Sequence, residues 1–189
     1  LGKLLQRHPQ LEVSLRVTDE VVDLLSERVD LALRLGSSIV SDDVVSQRVG
    51  SFRRWLVASP QYLAHISPIS HPEALQAHAC LQYDYGSPAN YWRFEQDGKT
   101  LQVPISGRLR SNNADILRQA ALDGQGIALL SDWLVRDDVD SGQLQRLLPD
   151  YDVAPGPREG TIHLLYLPNH RGSRRIAAFS EFLQELLQG

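Results

Sequence analysis

Residues 112–131, Asn-Asn-Ala-Asp-Ile-Leu-Arg-Gln-Ala-Ala-Leu-Asp-Gly-Gln-Gly-Ile-Ala-Leu-Leu-Ser, leave the chain few folding options. Asn112 or Asn113 can cap a helix, its side-chain oxygen taking a free N–H of the first turn. Asp115 then sits near the positive helix end. Ile116, Leu117, Ala120 and Ala121 recur at helical spacing and predict one apolar stripe. Gly124 falls where a left-handed cap ends a helix. Ile127–Leu130 is an unbroken apolar run, the pattern of a strand covered on both faces. Ser131 or Asp132 can cap a next helix from Trp133. Helix, tight turn, buried strand, helix is an α/β module. The free N–H groups at Asn112 and Asn113 suit an anion or carboxylate.

Elsewhere the alternation continues. Leu1, Leu4 and Leu5 share a helical face with no cap before them, and His8-Pro9 ends that helix. The chain therefore reads as opening inside a helix, as part of a longer protein whose preceding strand lies outside it. Leu11, Val13, Leu15 and Val17 alternate as a strand. Asp19 caps a short helix through Leu25, and strands follow at 29–35, 44–49 and 55–58. Ser59-Pro60 and His71-Pro72 each start a short helix. Ala79–Gln82 is a strand, and 83–90 a loop. Asp97-Gly98 between 92–95 and 101–105 is a hairpin signal. A strand is expected near 144–148, a loop at 154–157, a strand at 162–167 and an amphipathic helix at 176–187. On that helix Phe179, Phe182, Leu183 and Leu186 share one side.

This pattern predicts parallel sheets with helices on both faces, mixed where the hairpin enters. Two lobes fit better than one, roughly 1–60 with 165–189 and 61–164. The Ser59-Pro60 and Pro155–Thr161 regions are the expected crossings.

Composition narrows the function. The chain has 189 residues and a net charge of −4, so it carries no general electrostatic footprint for DNA, RNA or anionic membrane. The one cysteine, Cys80, excludes an internal disulfide and is compatible with a reducing cytosol. It reads as a small core residue on a buried strand. No stretch approaches the ~20 apolar residues that span a bilayer. Gly124-x-Gly126 follows a helix and precedes a strand, the reverse of a dinucleotide loop, so a turn is the better reading. There is no Gly-x-Ser-x-Gly elbow. His65, His71 and His78 lack the three- or four-residue spacing of a helical metal site and read as surface histidines. Arg171, Arg174 and Arg175 read as flanking a solvated helix. No catalytic residue, metal or cofactor is expected.

In open α/β sheets ligands bind beyond the carboxyl ends of strands. Gly36-Ser37, Ser59-Pro60, Tyr83 and Asn112-Asn113 each follow such an end. Each is also ordinary turn chemistry, but together they point to one crevice. Arg34 and Arg48 either supply charge for an anionic effector or are solvated or ion-paired.

Several segments together resemble the effector-binding domain of LysR-type transcriptional regulators. They are Val29–Gly36, Leu56–Leu63, Ala79-Cys80-Leu81, Ala120–Leu130 with its Gly-Gln-Gly-Ile-Ala, Gly142-Gln143-Leu144 with Leu147-Leu148-Pro149, and Leu165-Tyr166-Leu167-Pro168. The match runs the whole length in order. The resemblance implies an α/β fold of two Rossmann-like lobes with mixed sheets, like type 2 periplasmic binding proteins. It implies a small, anionic metabolite between the lobes, near Gly36, Ser37, Ser59, Pro60, Tyr83, Asn112, Asn113 and Ile127. It also implies an antiparallel homodimer or higher homo-oligomer, and a cytoplasmic location. DNA would be contacted only through an N-terminal helix-turn-helix outside this sequence, with no membrane partner. A free-standing solute-binding protein or an enzyme on the same two-lobe fold is the alternative.

Overall fold

The computed structural model describes residues 1–18, 22–36, 43–85, 90–156 and 160–188. In its first part the elements are α1 (Gly2–Arg7), β1 (Ala32–Leu35), β2 (Val45–Ser51), β3 (Arg54–Ala58), α2 (Pro60–Leu63), β4 (Cys80–Tyr83), β5 (Tyr91–Gln96) and β6 (Lys99–Pro104). Then come β7 (Arg110–Ser111), α3 (Ala114–Leu122), β8 (Ile127–Ser131), α4 (Asp132–Asp140), β9 (Gln145–Leu147), β10 (Asp152–Pro155), β11 (Thr161–Tyr166) and α5 (Arg174–Gln188). Short 3₁₀ helices occupy Pro72–Ala77 and Pro168–His170. The chain divides into two compact units, Leu1–Ser51 with Thr161–Gly189, and Phe52–Gly160. Ser59 and Pro60 thus belong to the second unit.

The first unit holds a sheet ordered β1-β11-β2, antiparallel throughout. Alternation had predicted parallel pairing; every β1 and β2 pair is instead made with β11, which returns from the far end of the sequence. Leu164 packs with Ile176 and Leu183 of α5, flanked by Leu31, Val49, Tyr166 and Phe179. The α5 stripe therefore forms as its spacing predicts, except that Leu186 is 62% exposed. Leu11–Val17 forms no strand. Alternation alone does not hold a strand; cross-strand pairs do, and no described strand pairs with it, which leaves Val17 89% exposed. The expected helix through Leu25 is a turn at residues 24–28. Asp23 Oδ1 accepts from the backbone of Leu25 (2.9 Å) and Ser26 (3.4 Å), a local bond that competes with helix propagation. Asp19 lies outside the described residues.

The second unit holds a mixed five-stranded sheet, β7-β4-β8-β3-β9. β4 runs parallel to β7 and β8, and β3 antiparallel to β8 and β9. β8 is buried on both faces, as its apolar run predicts. Ile127 and Leu129 enter one core with Leu56, Cys80 and Phe94, and Ala128 and Leu130 enter another with Leu81, Leu117 and Val135. β5 and β6 pair across Asp97 (φ 50°) and Gly98 (φ 72°), the two positive angles of a type I′ turn. β10 joins β5, so Ala154 and Pro155 are strand rather than loop. Pro155 is tolerated because β10 is an edge strand.

Candidate functional site

The helix start at Asn113 forms as the sequence indicates. Asn113 Oδ1 accepts from the backbone N–H groups of Asp115 (2.9 Å) and Ile116 (3.3 Å), and its own N–H donates to Ser111 Oγ at 3.1 Å. The cap thus already satisfies two of the first-turn donors that an anion would use. Asp115 lies in that turn, where its charge favours the helix and opposes an incoming anion. Leu117, Ala120 and Ala121 are buried beneath, while Ile116 is 52% exposed and lies off the stripe. Gly124 at φ 74° ends the helix.

Strand direction decides which candidates meet. β7 lies beside β4 with Gln82 opposite Arg110 and Tyr83 opposite Ser111. Asn112 and Asn113 follow Ser111, so Tyr83, Asn112 and Asn113 gather at the carboxyl edge of β4 and β7. β3 runs the other way, pairing Val57 with Ala128. Ser59 and Pro60 therefore sit at the opposite edge of the sheet, beside the start of β8 at Ile127. Four residues of strand separate the edges, about 13 Å at ~3.3 Å per residue. One small ligand at the Tyr83 edge does not also reach Ser59, Pro60 or Ile127, so the convergence expected of them does not occur within this unit.

Their local chemistry agrees. Ser59 is 3% exposed, and its Oγ accepts from Tyr62 N (3.4 Å) to cap α2, with Pro60 at the first helical position. Ile127 is fully buried, and its N–H donates to Ala79 O at 2.8 Å. In the first unit Gly36 (φ 105°) ends β1. Its N–H donates to Thr161 O at 2.8 Å, and Thr161 Oγ1 donates to Gly36 O at 2.7 Å. Ser37 lies outside the described residues. Arg34 and Arg48 stand opposite His163 from either side, and neither forms an ion pair among the described residues. His163 Nδ1 lies 3.3 Å from Ser46 Oγ.

The Tyr83 edge carries a shallow depression, open to solvent and enclosing only about 20 Å³, whose lining includes Gln82, Tyr83, Tyr85, Tyr91 and Arg110. The Tyr83 and Tyr85 ring centroids are 4.6 Å apart, tilted 38°. Arg110 Nη2 donates to Gln82 Oε1 (2.8 Å) and Asn90 Oδ1 (2.7 Å). Gln82, Tyr85, Tyr91 and Arg110 went unnoticed in the sequence; the aromatic density of 83–92 marks the two tyrosines, and no local signal marks Gln82 or Arg110. Among the described residues no group of three His, Cys, Asp or Glu could hold a metal ion. No helix there is long and apolar enough to cross a membrane.

Comparison with known proteins gives one answer. The profile of the LysR substrate binding domain matches residues 1–188. The HTH-type transcriptional regulator DmlR of Escherichia coli (strain K12) is 32% identical over 183 residues, 96% of this chain and 58% of that protein. The HTH-type transcriptional regulator PtxR of Pseudomonas aeruginosa is 31% identical over 183 residues, 97% of this chain and 57% of that protein. The chain thus spans under two thirds of these relatives. Among solved structures, CrgA of Neisseria meningitidis, a LysR-type regulator, superposes with a TM-score of 0.84 at 28% identity, covering 100% of this chain and 62% of that one. Full-length AphB of Vibrio cholerae gives 0.80 at 25% identity, covering 98% of this chain and 61% of that one. LysR regulatory domains have a type 2 periplasmic-binding-protein-like fold, and this chain shares it. The two units of mixed secondary structure, the buried β8 module and the full-length profile match make one case: the chain belongs to the LysR substrate-binding domain family.

Proposed function

We propose that this chain is the effector-sensing part of a transcriptional regulator without catalytic activity, and that it binds a small anionic metabolite. The observation that carries this is the family match over residues 1–188 together with relatives named as transcriptional regulators. Those names favour a regulator over a free-standing solute-binding protein or an enzyme. What supports a ligand site in the second unit is that Tyr83, Asn112 and Asn113 lie at one sheet edge, with Arg110 of β7 preceding the two asparagines. The metabolite acts by binding one conformation more tightly than another and shifting their populations. DNA is engaged by a helix-turn-helix outside these 189 residues, in the cytoplasm. The working assembly is a homodimer or higher homo-oligomer.

Two measurements test this reading. The codons upstream of Leu1 are expected to encode a helix-turn-helix; a secretory signal peptide joined directly to this domain would overturn the regulator. Footprinting of the full-length protein on its own promoter, with a panel of small carboxylic acids, is expected to show one that changes the footprint. A promoter-bound protein indifferent to every metabolite would remove the sensing role.

A further inference from the structure

We draw no further inference here: the strongest candidate, the surface patch beside edge strand β9 of the second unit where the Arg136 and Arg146 guanidiniums lie 5.2 Å and 4.9 Å from the centroid of the Trp55 ring, is accounted for by those contacts within the fold, and nothing in the structure shows what covers it.

Discussion

At the scale of single residues, two buried groups have measurable consequences. Asp138 is 4% exposed, and Arg118 meets it with two bonds, Nε to Oδ2 at 2.5 Å and Nη2 to Oδ1 at 2.6 Å. That carboxylate favours the charged form of Arg118 and raises its pKa. Arg118→Ala strands a buried carboxylate. Because the Arg118 side chain is itself 32% exposed, the cost is reduced from that of a fully buried pair to about 1–3 kcal/mol. The Arg136–Asp132 pair, 3.2 Å apart and on the surface of α4, is worth only about 0.3–0.5 kcal/mol. Urea unfolding of both alanine variants is expected to rank them in that order, and equal losses would contradict it. Cys80 offers the second case. It is fully buried, and burial pushes its thiol up to about 12 from 9.0. The folded protein is expected to resist iodoacetamide at pH 8 and to react once unfolded in urea. Because the folded state holds this proton more tightly than the unfolded one, its contribution to stability is complete below pH 9 and falls away as the pH rises toward 12. Rapid labelling of folded protein at pH 8 would show that the strand is not closed over the thiol.

At the scale of elements, the turn between α3 and β8 is the most demanding. Gly126 has a φ of 153°, and an added Cβ would lie 2.4 Å from Ala79 O, the acceptor of the Ile127 N–H. The backbones of β4 and β8 meet there, and neither can yield without breaking the ladder. Gly126→Ala is expected to cost roughly 2 kcal/mol or more, at the upper end of ordinary substitutions. Gly142 also has a positive φ, 76°, but nothing lies within 4 Å of its Cβ position, so Gly142→Ala there costs about 1 kcal/mol from backbone conformation alone. Chemical denaturation of the two variants side by side checks the difference; similar losses would place the cost in conformation and not in the close approach.

At the scale of the whole molecule, charge sets the expectation. With a net charge of −4 and no recognition helix identified in its sequence, this chain alone is expected not to bind DNA specifically. A mobility-shift assay at ~150 mM salt, near physiological ionic strength, is the check, and tight sequence-dependent binding would refute it.

What the sequence determined by itself was local. Asn113 caps α3, Gly124 ends it, Ser59-Pro60 starts α2 and Asp97-Gly98 turns the hairpin. Each of these rests on interactions within a few residues, where side-chain chemistry and allowed dihedrals suffice. The apolar run at Ile127–Leu130 likewise forces burial on both faces whatever surrounds it. The tertiary structure alone decided the rest. Leu11–Val17 has the alternation of a strand but no described partner, and β1 pairs with β11, about 130 residues away in sequence. The direction of β3 places Ser59, Pro60 and Ile127 at one sheet edge and Tyr83, Asn112 and Asn113 at the other. Arg110 gains meaning only beside Gln82 and Asn90, 28 and 20 residues away. Pairing direction and long-range register depend on how the chain returns to itself, and no local spacing encodes that return.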